Sequence, residues 1–446
     1  MTRLERTRSV VVELDGIAGI GDLEEAALTF ARTAPGQLVA DAIEGMVGEL
    51  IDEVVGPFGV PVGDDDQLEA PWACTGCGSR RGFRRRGFRP KPRTVMTRCG
   101  SVKFRSQQLE CRGCGRRFAP AGELLGLGKH QRRTDALSEA AAALAVEVAY
   151  AKASRLLGEL AGPAVSARTI RRDVLAMAPE RIGAGVADGA TLAVPVLLLD
   201  GTGERAGTSK GGVALHIALG LVARRPRGGR VQVTARLLAA TVNEPWSAMA
   251  PLLAGVQPAL IVLDGEEALD GLAATTFPGV PVQRCLWHLA RGVYRAARYN
   301  DRLDHDTAEE IRARLADILD AAWDHRDPDQ ARDDYAGLIA QCVNAGAEAA
   351  AGHLADAWGS VFTYIENPDA GRLVAGHKGR PDVGTGVIER VMRELNRRTD
   401  VGVRWSIDGV RAILLVKLQR KYAHGPWSPP AEATPPQPRA RISLAA

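Results

Sequence analysis

No apolar run in this 446-residue chain approaches the length needed to cross a bilayer, and its N-terminus has no hydrophobic stretch of the secretory kind. A cytoplasmic protein, associated with the nucleoid in a bacterium, is the expectation. Cysteine is scarce and odd in number, seven in all, which argues against a disulfide-knit scaffold. Lysine is rare beside arginine, a bias of GC-rich genomes without mechanistic weight. The net charge of +4 is too small to name a partner, though its distribution says more. What is present is ordinary: 46% hydrophobic and 25% charged residues fit a soluble globular protein. The length exceeds one hydrophobic core and predicts several domains.

Residues 1–70 read as a helical region, with apolar positions at Leu23, Ala26, Ala27 and Phe30, then Ala42, Met46, Leu50 and Val54. Gly63-Asp64-Asp65-Asp66 reads as a linker, its acidic trio a solvated loop more readily than a metal site. Over 71–120, Cys74-Thr75-Gly76-Cys77-Gly78 is answered by Cys111-Arg112-Gly113-Cys114-Gly115. Each C-x-x-C followed by glycine is a tight turn that aims two thiolates at one ion, so Cys74, Cys77, Cys111 and Cys114 are expected to hold a structural Zn²⁺ in a zinc ribbon. Doubling the intervening loop costs only about 0.6 kcal/mol, which Zn–S bonding outweighs. Thr94–Arg98 and Val102–Leu109 alternate like the arms of a hairpin, with Cys99 a spare thiol at its tip. Arg84, Arg85 and Arg86, interleaved with Phe83 and Phe88, are candidate phosphate contacts; a merely solvated face fits the same residues.

Over 130–180, helices are expected at Ala136–Val148 and Ala151–Leu160, then a turn at Ala161-Gly162-Pro163. Ser166 is placed to cap a short arginine-rich helix. This is the pattern of a helix-turn-helix, with Arg168, Thr169, Arg171 and Arg172 toward the major groove and Ile170 and Val174 toward the core. An amphipathic helical pair inside a larger domain is the less favoured reading of the same residues.

From Pro195 the texture changes to strands. Val196-Leu197-Leu198-Leu199-Asp200 and Leu260-Ile261-Val262-Leu263-Asp264 are short apolar runs, each closing on Asp-Gly, as buried strands do at a sheet edge. Strands are also expected at Val213–Val222, Val231–Ala240 and Val280–Gln283, and helices at Pro245–Ala254 and Glu266–Ala274. An Arg224–Gly229 turn would join the second and third strands. Three antiparallel strands followed by alternating helix and strand is the order of a ribonuclease H-like fold, in which the first and fourth strand ends are neighbours. The fold class is thus multidomain α/β: N-terminal helical and zinc-ribbon/helix-turn-helix modules, then a ribonuclease H-like core with an all-α insertion. The core's first part spans 190–299, the insertion 300–375, the core's C-terminal helices 376–424, and 425–446 reads as a disordered Pro/Ala tail.

Leu199-Asp200-Gly201-Thr202, Leu263-Asp264-Gly265, Cys285-Leu286-Trp287-His288 and Gly386-Val387-Ile388-Glu389-Arg390 together resemble the DDE transposases of bacterial insertion sequences. They are most similar to the branch allied to Mutator-type elements, which has a C-x-x-H motif and a helical insertion before the glutamate. Arg404-Trp405-Ser406-Ile407-Asp408-Gly409 resembles that branch too.

The resemblance implies that Asp200, Asp264 and Glu389 bind catalytic Mg²⁺ (or Mn²⁺) ions in two-metal cleavage and strand transfer. It also implies double-stranded DNA as partner, both element terminal repeats and target, and a homodimer or higher oligomer in the active complex. No membrane partner is expected. Each aspartate alone would more often cap a strand. Glu394 lies about 140° round the helix from Glu389, so the two cannot face one metal. Arg393, Asn396 and Arg397 share the face of Glu389 and are placed to clamp phosphates. Cys285 and His288, one turn apart, read as braces of the core more readily than as ligands or DNA contacts. A catalytically silent DNA-binding regulator, or a ribonuclease H-like nuclease or resolvase, remains the alternative.

Overall fold

The computed structural model describes residues 20–60, 62–63, 67–162, 164–204, 212–224, 232–368, 370, 386–399 and 405–422. Asp64–Asp66, the turn after Arg224, Arg404 and the C-terminal tail lie outside them. The chain divides into two compact units, Met1–Val174 and Leu175–Ala446.

The first unit begins with α1 (Ile20–Val55). Its buried stripe, Ala40, Val47, Ile51 and Val54, follows helical spacing. It packs on Val95, Val102 and Phe104 of the antiparallel hairpin β2 (Arg93–Thr97) and β3 (Gly100–Phe104). A second sheet pairs β4 (Gln107–Cys111) with both β1 (Phe83–Phe88) and β5 (Arg117–Phe118). Trp72, Phe83 and Leu109 are wholly buried between them. Each such side chain stabilises the fold by up to about 1.5–3 kcal/mol.

The second hairpin arm expected over Val102–Leu109 is in fact two strands. The Arg105 N–H donates to Glu44 Oε1 at 2.7 Å and the Ser106 carbonyl accepts from Arg89 at 2.9 Å, so the groups that would extend the ladder are engaged elsewhere. Short α2 (Ala121–Leu124) is followed by α3 (Asp135–Ala145), α4 (Tyr150–Ala161) and α5 (Ala167–Met177). Ser166 Oγ accepts the Thr169 N–H at 3.2 Å, Ile170 and Val174 are buried, and Arg133 forks onto buried Asp173.

The second unit is built on a five-stranded sheet, order β12-β11-β7-β8-β9. β7 (Val196–Glu204), β8 (Val213–Arg224) and β9 (Gln232–Val242) are antiparallel neighbours. β11 (Ile261–Leu263) runs parallel to β7, and β12 (Val282–Arg284) parallel to β11. β6 (Leu192–Val194) and β10 (Val256–Pro258) form a small parallel pair that the sequence pattern had not indicated. One sheet face packs under α6 (Glu267–Thr276), burying Leu197, Leu199, Leu263 and Leu269 together. Against the sheet also lie α12 (Gly386–Thr399), beside β7, and α13 (Ile407–Tyr422), beside β9.

Between them in sequence, α7 (Leu286–Arg295), α8 (His305–His325), α9 (Pro328–Asn344), α10 (Glu348–Asp356) and α11 (Thr363–Glu366) form a helical cluster. Phe362 and Tyr364 are buried there. The single helix expected over Pro245–Ala254 is instead two 3₁₀ turns, Trp246–Met249 and Pro251–Leu253. Pro251 has no N–H to continue an α-helical ladder, and its ring obstructs the carbonyl four residues back.

Candidate active site

The buried part of β7 ends at Asp200, which is only 3% exposed. Side chains alternate along a strand, so with Leu197 and Leu199 packed under α6, Leu198 and Asp200 face the other way, toward α12. On β11, Ile261 and Val262 stand opposite Leu197 and Leu198. Asp264 is the first residue after β11 and is half-buried. Each aspartate is tied to nearby backbone: Asp200 Oδ1 accepts the N–H of Gly201, still within β7, at 2.8 Å, and Asp264 Oδ1 that of Glu266 at 2.9 Å.

Glu389 enters from the first turn of α12. With Asp200, Gly201 and Thr202 it lines an open cleft of about 630 Å³, continued along the same helix by Met392, Arg393, Asn396 and Arg397. Arg393 and Arg397 are exposed. The opposite wall is the start of α7: Trp287, His288 and Arg291, the last with its guanidinium 5.1 Å from the Trp287 ring centre. His288 Nε2 lies 3.8 Å from Glu389 Oε1. Burial opposes a charged imidazole here. Contact with the Cys285 thiol and attraction to Asp200 and Asp264 outweigh it, raising the His288 pKa to about 9.

Glu394 turns to the other side of α12, where Lys421 and the Tyr422 hydroxyl donate to it. Three carboxylates are hard oxygen donors, the set a divalent cation such as Mg²⁺ or Mn²⁺ takes. The structure does not draw the three into one cluster: Asp200 and Glu389 line the cleft, and Asp264 is not among its lining residues. Among the described residues only the four cysteines bring three or more such ligand atoms within 4.8 Å of one another.

That cysteine cluster is tight. Cys74 Sγ and Cys114 Sγ are 3.5 Å apart, Cys77 Sγ and Cys111 Sγ 3.6 Å. Zn–S bonds of about 2.3 Å set tetrahedral sulfurs about 3.8 Å apart, so the four residues fit a zinc ion. Burial opposes ionisation of Cys74, yet the Cys77 and Gly76 N–H groups outweigh it and bring the thiol down to about 7. At Cys114 the Arg116 N–H favours the thiolate, but the neighbouring thiols push it up to about 12. Four thiolates this close need a cation between them.

A sequence model described as "Transposase, Mutator family" matches residues 75–419. The chain belongs to the Mutator family of transposases. No curated protein matches it significantly. The matched span takes in three of the four clustered cysteines and the whole acidic cleft of this transposase.

Among the arginines expected to meet DNA, Arg168, Arg171 and Arg172 are exposed on α5, beside half-buried Thr169. Arg84, Arg85 and Arg86 do not form one row. Arg84 and Arg86 converge with Arg117 on Glu110, whereas Arg85 turns to the other side of β1. There it pairs with Asp52 and donates to the Gly56 carbonyl at 2.9 Å, its side chain only 9% exposed. Arg85 is thereby committed to the fold rather than to a phosphate.

Of the two residues expected to brace the core, Cys285 is buried and His288 forms part of the cleft wall. The available signal for that placement was topological: α7 starts where β12 ends, at the sheet edge where β7 and β11 deliver their aspartates.

Proposed function

We propose that this transposase binds the terminal repeats of its element and cuts and joins DNA strands by two-metal chemistry at Asp200, Asp264 and Glu389. The observation that carries the reading is that Asp200 of β7 and Glu389 of α12 line one cleft walled by arginine, with Asp264 directly after the neighbouring strand β11. The order and directions of β7, β8, β9, β11 and β12 support a ribonuclease H-like core. When bound there, Mg²⁺ or Mn²⁺ supplies an activated water or DNA 3′-hydroxyl and neutralises charge on the leaving oxygen.

The protein's own groups do the rest. Asp200, almost wholly buried within β7 and paired there with Ile217, is a rigid donor that the sheet pre-orients. Glu389 completes the donor set from α12. Arg393 and Arg397, one turn apart, are free to grip phosphates flanking the one under attack. Asn396 stands between them on the cleft wall. The cysteine cluster is read as a zinc ribbon and α4–α5 as a helix-turn-helix, the two together recognising the terminal repeats. Pairing two ends would require at least a dimer.

The test is cleavage of a DNA duplex carrying the sequence that flanks the gene. Wild-type protein should nick it in Mg²⁺, and Asp200→Ala should bind the same duplex with unchanged affinity and not cut it. Wild-type protein that binds its ends but never cleaves them, in Mg²⁺ or Mn²⁺, would sink the enzymatic reading and leave a DNA-binding regulator.

A further inference from the structure

We propose that Trp246 is a positioning residue that fixes Asp200 and Asp264 relative to each other; the inference rests on the metal-site reading above. Trp246 is in neither strand that carries an aspartate. It opens the 3₁₀ turn after β9, only 5% exposed, and lies flat on His216 of β8, ring centres 3.8 Å apart and planes 12° from parallel.

Its edge meets the residue whose N–H holds each aspartate. Toward β7, a Cβ placed on Gly201 would stand 3.1 Å from Trp246 Cζ2 and 3.1 Å from His216 Cδ2, tighter than most side-chain contacts, so both rings pack closely on Gly201. Toward β11, Trp246 Nε1 donates to Glu266 Oε2 at 3.3 Å. The N–H groups of these same two residues, Gly201 and Glu266, hold the Oδ1 atoms of Asp200 and Asp264. One rigid indole thus touches both residues that orient the aspartates.

On the far side of the second turn Arg284 leaves no slack. Its guanidinium occupies the place of a Gly265 Cβ, at 0.9 Å, and Gly265 itself has φ +85°. The Asp264–Glu266 turn is therefore held between Arg284 and Trp246. Groups that orient metal ligands in this way commonly change metal affinity 10- to 100-fold when removed.

The test uses full-length protein and two readouts, Mn²⁺ binding by calorimetry and the Mn²⁺ dependence of end cleavage, with thermal unfolding as a check on folding. Glu266→Ala removes the acceptor at an exposed position, and Trp246→Phe removes the indole N–H; each should weaken Mn²⁺ binding by about tenfold. Glu266→Gln still offers an oxygen to the indole and should stay within about twofold of wild type. Wild-type Mn²⁺ affinity in Glu266→Ala overturns the proposal. So does a Gln variant as weak as the Ala one, because the carboxylate charge rather than the hydrogen bond would then matter. Asp264→Asn, run alongside, separates the levels: if it too binds Mn²⁺ normally, the metal-site reading falls and the brace with it. Loss of binding in Asp264→Asn alone overturns only the brace.

Discussion

The four-cysteine cluster and the acidic cleft are both ligand sets, yet they are assembled in opposite ways. The cysteines come from two tight turns, each delivering a pair of thiols three residues apart, and all four sulfurs crowd together. The carboxylates come from the middle of β7, the loop after β11 and a distant helix, and two of them, Asp200 and Glu389, line a cleft open to solvent. A structural ion is enclosed by its ligands; a catalytic one must leave room for substrate and for changing coordination. Tightness in one region and looseness in the other is the difference expected between holding a fold and acting on a polymer.

The largest effect should come from emptying the first site. Cys74→Ser with Cys111→Ser, or a strong chelator, should release one zinc per chain and expose β1–β5 to proteolysis. Structural zinc contributes on the order of 10 kcal/mol to folding small domains, and retention of protease resistance without zinc would break the comparison. Next, Glu389→Gln should reduce end cleavage to background while leaving zinc content and the thermal midpoint unchanged. A shifted midpoint would make Glu389 a structural residue and blur the two regions.

A third, smaller effect is expected at Gly265→Ala, which forces Arg284 from its place and strains a φ of +85°. Urea unfolding should register a loss of about 1–3 kcal/mol. Fourth, Arg171→Ala should weaken binding to end DNA and lower its salt slope by about one, whereas Arg85→Ala should lower stability and leave that slope alone. Equal slopes would erase the distinction between exposed and committed arginines.

The smallest effect concerns Glu110. Hydrogen bonds from Arg86 and then Arg84 hold its carboxyl well below the usual carboxylate range, against the pull of burial. A depressed folded-state pKa means that the stabilisation is present above the unfolded value, about 4.3, and fades as pH falls toward the folded one. Glu110→Gln should therefore lower the thermal midpoint at pH 7 and flatten its decline on acidification.

The chain's own pattern determined more of the first region than of the second. Each cysteine pair is local: three residues apart with glycine beside them, the ligands are paired before any tertiary contact forms. The apolar runs before Asp200 and Asp264 and the 3.6-residue face of Glu389, Arg393, Asn396 and Arg397 were equally legible, because strand ends and helix faces are short-range properties. Three things were not. Arg85 is set apart from Arg84 and Arg86 by strand alternation and by partners at Asp52 and Gly56, far from it in sequence. His288 reaches the cleft because β12 lies beside β11, a neighbour relation that no local spacing encodes. Trp246 reaches both Gly201 and Glu266 only once β8, β9 and the 3₁₀ turn have packed. Residue order thus determined which groups are candidates for the chemistry. Folding alone decided which of them meet, since contacts between distant segments depend on how sheets and helices stack rather than on what stands next in the chain.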